Sequence, residues 1–174
     1  MSRVSKSRFA ITVVFLVVLA VVIWHTFLKG LETELKREKP APDFEFIDIQ
    51  GKKYKLSSFK GQVVLIDFMA TWCGPCKQQI LTLKRIHPKY EGKVVFLSIS
   101  VDPRESLEAL ANYGKASGIT WILGKSYEAA IKYGISAIPT IVIIDKDGYI
   151  VFRASGVTPE DQLRKVLDEA ISQG

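Results

Sequence analysis

The sequence predicts an α/β domain, a central mixed sheet flanked by helices, preceded by one transmembrane helix. Three observations predict it. Strand-like and helix-like segments alternate from residue 43 to residue 174, the order expected of a sheet that is parallel in part. Lys146-Asp147-Gly148 between two apolar runs is a hairpin signal and adds an antiparallel edge pair. Residues 9–28 form an apolar run of 20 residues without a Lys, Arg, Asp or Glu.

At about 1.5 Å per residue, that run makes a helix of roughly 30 Å, the thickness of a bilayer's hydrocarbon core. A cleaved signal peptide has an apolar region of about 7–15 residues ending in a small-residue site. The run here is longer, and HTFLKGLETEL follows it without such a site. The expected organisation is a short cytoplasmic tail (residues 1–8), an uncleaved anchor (9–28), a charged stalk (29–42) and a domain (43–174) outside the cytoplasm. Arg3, Lys6 and Arg8 before the run and Lys29, Lys36, Arg37 and Lys39 after it leave the flanking charge nearly balanced. The N-inside orientation therefore follows from the short tail and the long domain that comes after the anchor.

The 174 residues are 48% hydrophobic and 24% charged, which supports a packed core and excludes a disordered chain. Two cysteines exclude a disulfide-rich scaffold. The formal charge of +6 sits mostly at the N-terminus. Residues 1–39 carry seven Lys/Arg against three Asp/Glu, and residues 40–174 carry 17 against 15. No nucleic-acid motif accompanies it.

Residues 44–49 (FEFIDI) alternate as a half-buried strand, and Gly51 turns the chain into a short partner at 52–54. Residues 63–68 are continuously apolar around Asp67, the pattern of a central strand covered on both faces. A helix is expected from Cys73 to Ile86, ending near Pro88, and then a second central strand at 94–100. Asp102-Pro103-Arg104-Glu105 has the pattern of a helix start: a capping Asp, Pro in the first turn and Glu three residues after the cap. That helix runs to about Lys115. A short strand at 119–123, a short helix at 126–133 and the hairpin 140–153 follow. Thr158-Pro159-Glu160-Asp161 opens a last helix to about Ser172.

The chemistry is expected in Ala70-Thr71-Trp72-Cys73-Gly74-Pro75-Cys76-Lys77, a C-x-x-C directly after a buried strand and at the start of a helix. Unpaired backbone N–H groups and the helix dipole favour a thiolate at Cys73 and lower its pKa. Cys76 lies one turn on, on the same face. Pro75 loses nothing by lacking an N–H in a first turn. Two other readings of the pair stay open at this point, a Cu(I) site of two thiolates near Met69 and two buried structural cysteines.

The segment Leu65–Lys77 resembles the active-site segment of thioredoxins, and Gly134-Ile135-Ser136-Ala137-Ile138-Pro139-Thr140 resembles their second signature. Together with the apolar run, Ala41-Pro42-Asp43-Phe44 and Leu56-Ser57-Ser58-Phe59-Lys60-Gly61 are similar to the membrane-anchored TlpA/ResA-like branch. The resemblance covers residues 40–174. It implies a thioredoxin fold with an N-terminal strand extension and a central insertion around residues 119–133.

The resemblance also implies roles. Cys73 is the exposed nucleophile, Cys76 the resolving thiol, and Asp67 the buried carboxylate that accepts a proton from Cys76. Trp72, Gly74, Pro75, Ile138 and a cis Pro139 line the substrate site. No cofactor beyond the redox-active Cys73–Cys76 disulfide and no metal are implied. In thioredoxins a lysine on the adjacent strand often partners the buried aspartate, and the matching position here is read as Phe96. Many members of the anchored branch have Asn at the Asp67 position, and several have an acidic residue between the cysteines. Asp67 and Gly74-Pro75 bring this site nearer to thioredoxin itself. His87 is read as a surface capping residue, and Tyr113, Trp121 and Tyr127 as packing.

The function implied is a membrane-anchored, extracytoplasmic thiol–disulfide oxidoreductase that reduces protein disulfides, with apocytochrome c as one substrate class and a membrane electron donor as partner. A disulfide-forming oxidant or isomerase and a Cu(I)-binding assembly factor are the alternatives. A peroxidase finds no P-x-x-x-T-x-x-C match in the sequence.

Overall fold

The computed structural model describes residues 13–24 and 37–173. The chain divides into two units, Met1–Glu34 and Leu35–Gly174. In the first, residues 13–24 are helical (α1) and their side chains are exposed. The rest of the apolar run 9–28, the tail 1–8 and most of the stalk lie outside the described residues. Among the described residues no helix is long and apolar enough to cross a membrane.

The second unit is built on a seven-stranded sheet in the order β2-β1-β5-β4-β3-β6-β7. The strands are β1 (Glu45–Asp48), β2 (Lys53–Lys55), β3 (Val63–Met69), β4 (Val94–Ser100), β5 (Ile122–Lys125), β6 (Thr140–Ile144) and β7 (Ile150–Ser155). The helices are α2 (Gly74–Tyr90), α3 (Leu107–Ser117), α4 (Tyr127–Lys132) and α5 (Glu160–Ser172). Strands β3, β4 and β5 are parallel. The β1–β2 and β6–β7 pairs are antiparallel and close the two edges. The predicted mixed sheet with flanking helices is therefore present. It carries the β1–β2 hairpin on one edge, with β5 next to it in the sheet.

All seven residues of β3 are buried, because successive side chains enter different cores. Val63 and Leu65 pack with Ile80, Leu83 and Ile86 of α2 and Leu163 and Leu167 of α5. Val64, Ile66 and Phe68 pack on the opposite face with Phe44, Phe46, Ala129 and Tyr133. A third cluster, Met69, Ala70, Leu110 and Leu123, underlies the two cysteines.

Several boundaries differ from the sequence expectation where tertiary contacts override a local signal, and the short strand expected at 119–123 forms instead at Ile122–Lys125, in register with β4. Helix α2 continues through Pro88 to Tyr90. Proline there forfeits one backbone bond in the last turn. Tyr90 is 1% exposed and donates to Asp168 Oδ1 at 2.8 Å, which anchors the turn. Residues 102–105 do not start α3. Ser106 caps it, accepting from Ala109 N at 3.0 Å, and Gly118 (φ 65°) ends it. The last helix opens as expected, with Pro159 at the N-cap position of α5, and Thr158 N donates to buried Gln79 Oε1 at 2.7 Å. Residues 38–41, read as the end of the stalk, bond along the hairpin: Glu38 N to Ile150 O at 2.8 Å and Ala41 N to Gly148 O at 2.8 Å.

Gly124 lets β1 approach β5. A Cβ there would lie 2.6 Å from Ile47 O and 3.2 Å from Asp48 Cα, both backbone atoms. Gly124→Ala therefore forces the β1–β5 ladder apart, at an expected cost of about 2 kcal/mol. Urea denaturation of the variant checks this, and an unchanged midpoint would show that the N-terminal hairpin does not depend on this contact.

Candidate active site

Strand β3 delivers the chain to the site. Its last residue, Met69, is followed by the turn Ala70-Thr71-Trp72, and Cys73 N bonds Ala70 O at 3.2 Å. Cys73 is the N-cap of α2, and its Sγ accepts from Cys76 N at 3.1 Å. A thiolate at this position receives a backbone N–H and the positive end of the dipole. The first turn of α2 holds no acid that would oppose it. Cys73 and Cys76 are joined as a disulfide. Cys73 is 4% exposed and Cys76 is fully buried, so Cys73 is the sulfur nearer the surface, although less open than the sequence suggests. Gly74 and Pro75 are exposed beside it.

The second signature closes over the pair. The Ile138–Pro139 peptide is cis, and Ile138 O lies 3.7 Å from Cys73 Sγ. Ile138 is half-buried and Pro139 buried. Trp72 is 63% exposed, and its Nε1–H donates to Asp102 Oδ2 at 2.9 Å. An open groove runs from the indole along Asp102, Arg104 and Tyr127 to Ile138. The side chain and backbone N–H of Arg104, with the Trp72 indole, hold the Asp102 carboxyl below the usual carboxylate range. Seven of the eight residues expected at the site are thus gathered at one end of the sheet, and the eighth, Asp67, is buried within β3.

Asp67 is fully buried on the face of β3 that packs against α2. Burial pushes its pKa up to about 7, opposed by a hydrogen bond from Ser98. Ser98 Oγ donates to Asp67 Oδ2 at 3.1 Å, whereas Oδ1 has no partner among the described residues. The register pairs Asp67 with Ser98 and Leu65 with Phe96. The position facing the aspartate is therefore Ser98 and not Phe96. Phe96 instead packs edge-on against His87 at 4.9 Å, so His87 is a half-buried ring rather than a surface cap.

Sequence reading missed Ser98, Glu105 and the polar use of Trp121. Trp121 Nε1–H donates to Ser98 Oγ at 3.0 Å. Glu105, read as part of a capping box, accepts from Thr71 N at 2.8 Å, from Thr71 Oγ1 and from Ser100 Oγ. One signal was available for Ser98: it is the fifth residue of the run 94–100, as Asp67 is of the run 63–69.

The AhpC/TSA family model matches residues 38–153. The thiol-disulfide oxidoreductase ResA of Bacillus cereus is 32% identical over 167 residues, covering 93% of this chain and 96% of that protein. ResA of Bacillus subtilis is 26% identical, covering 92% and 90%. Among solved structures, a thiol:disulfide interchange protein of the thioredoxin family from Chlorobium tepidum superposes with a TM-score of 0.69 at 26% identity, covering 78% of this chain and 98% of the other. A thiol-disulfide oxidoreductase from Bacteroides fragilis gives 0.66 at 27%, covering 75% and 98%.

Proposed function

This chain belongs to the AhpC/TSA family and is a thiol–disulfide oxidoreductase of thioredoxin-like fold, and from that premise we propose that it reduces protein disulfides outside the cytoplasm while anchored to the membrane. The observation that carries the chemistry is Cys73 Sγ at the cap of α2, 3.1 Å from Cys76 N, with Asp67 buried beneath.

The Cys73 thiolate attacks a substrate disulfide, a mixed disulfide forms, and one substrate sulfur leaves as a thiolate. Cys76 then gives its proton to Asp67 and attacks Cys73 Sγ. The Cys73–Cys76 bond forms, the bond to substrate breaks, and the second substrate sulfur leaves. The substrate gains two electrons, and a membrane dithiol donor returns two to the pair. Trp72, Gly74 and Pro75 offer an exposed surface beside the nucleophile, and the Ile138–Pro139 edge faces it. Disulfide-bonded cysteine pairs of apocytochrome c are the candidate substrates, which gives the protein a place in cytochrome c maturation. The anchor is supported by the uncharged run 9–28 and by the exposed apolar side chains of α1.

Cys76→Ser removes the resolving thiol and keeps the nucleophile. The full-length variant is expected to accumulate a mixed disulfide with its protein substrate, seen as a band on a non-reducing gel that reductant collapses. No trapped species would count against the mechanism. The direction of flow is read from the reduction potential. A value near about −270 mV makes the pair a reductant, and one near about −120 mV makes it a disulfide donor and reverses the proposed direction.

A further inference from the structure

We propose that Ser98 and Trp121 are positioning residues for resolution, which together fix Oδ1 of Asp67 as the oxygen that takes the proton from Cys76. The inference rests on the reading of Asp67 as proton acceptor. It concerns two residues that act through the Asp67 carboxylate.

A serine hydroxyl has one proton, whereas an indole N–H only donates. Trp121 Nε1–H points at Ser98 Oγ at 3.0 Å, and Ser98 Oγ lies 3.1 Å from Asp67 Oδ2. With a lone pair of Ser98 taken by the indole, its proton is directed to Oδ2. Turning the hydroxyl away would leave that proton unpaired in a core built from Ile80, Phe96 and Ile141. The indole itself is held in place by His87, at 5.2 Å, and Phe96, at 6.0 Å between ring centroids. Oδ2 is thereby committed as an acceptor.

Oδ1 is buried and has no partner among the described residues. It is the oxygen left to exchange a proton. Asp67 lies on the β3 face of Val63 and Leu65, against the α2 stripe that continues from Cys76 through Ile80 and Leu83. In the resolving step the Cys76 proton passes to Oδ1, the Cys76 sulfur bonds Cys73 Sγ, and the substrate sulfur leaves with the electron pair. Because Ser98 donates to the charged carboxylate, it favours the form that can receive the proton. Trp121 acts through Ser98 by closing off the competing orientation.

The titratable groups that face Asp67 are Cys76, on the facing stripe of α2, and Tyr113 on α3, which feels its charge; Cys73 caps α2, and His87 of α2 lies behind the Trp121 ring. From β6 and α5 the same face receives Ile141, Leu163 and Leu167, which do not titrate.

The test uses the reduced full-length chain and Ellman's reagent, which loads Cys73 with thionitrobenzoate. Rapid mixing then follows the second thionitrobenzoate release, driven by Cys76, against pH. In the native chain the rate rises through a midpoint. Ser98→Ala is expected to move the midpoint to higher pH by about one unit, and Trp121→Phe, which keeps the ring contacts, by about half as much. The double variant matches Ser98→Ala alone, and Ser98→Thr restores the native midpoint.

Additive shifts, or a Trp121→Phe midpoint that does not move, overturn the inference. Asp67→Asn separates it from the reading it rests on: a profile that Asp67→Asn leaves unchanged overturns both. Should Trp121→Phe not fold, the Ser98 pair decides. A midpoint moved by Ala and kept by Thr supports the inference, and one moved by neither overturns it.

Discussion

Replacing Asp67 with Asn is expected to stabilise the oxidised chain by roughly 4 kcal/mol at about pH 8.5, and by less than about 1 kcal/mol near pH 4. The folded-state pKa of Asp67 is raised from 3.8 to about 7, with burial as the main cause. For a carboxyl raised in the folded state, the favourable contribution is complete below the unfolded pKa and is lost as pH rises through the folded one. Above about 7 the folded chain holds a buried charge whose one hydrogen bond, from Ser98, does not offset desolvation. Asn keeps the shape and never ionises, so its advantage grows across that window. Urea unfolding at the two pH values measures it, with the slope m unchanged. An equal effect at both would mean that Asp67 does not titrate in this range. The cost of the native aspartate is a large share of the roughly 5–15 kcal/mol that holds a domain together. An aspartate present at that cost fits the proposed transfer of a proton from Cys76.

The central strands and the site loop were legible because each rests on a short-range pattern. β3, β4 and β6 are apolar runs broken only by Asp67, by Ser98 and Ser100, and by Thr140, which is enough to mark a strand buried on both faces. The hairpin rests on Asp147-Gly148, and the dithiol on its place between strand and helix. What was not legible depends on pairing between distant segments. The sequence alone reads Phe96 as the partner of Asp67 because the register of β3 on β4 is a tertiary fact, and only that register shows that Val63 meets Val94 and Asp67 meets Ser98. Trp121 reads as packing because an indole gives no sign of where its N–H will point. Asp102 and Glu105 fit a capping box in spacing and type. Their side chains bond the active-site turn instead, and Ser106 caps the helix.

That second use of the two acids makes Glu105→Ala expensive. The carboxylate is 8% exposed and serves three donors, of which Thr71 N and Thr71 Oγ1 belong to the turn that carries Cys73. The third, Ser100 Oγ, ties the same carboxylate to the end of β4. Truncation strands a backbone N–H and two hydroxyls. At about 1–3 kcal/mol for a buried group left unpaired, and with the hydroxyls able to turn to other acceptors, the expected loss is about 3 kcal/mol. Glu105→Gln keeps an accepting oxygen for Thr71 and presents an amide N–H to Ser100, so its loss should be about 1 kcal/mol. Glu108→Ala, an exposed acid on α3, sets the baseline. Unfolding free energies of the three variants give the order, and the alkylation rate of Cys73 in the reduced chain reports on the turn. Because Cys73 N is bonded to Ala70 O within that turn, loosening Thr71 displaces the nucleophile from the cap of α2 and slows its reaction. A Glu105→Ala chain as stable as Glu108→Ala, with Cys73 reacting at the native rate, would show that the loop 102–105 merely lies beside the active site and does not hold it.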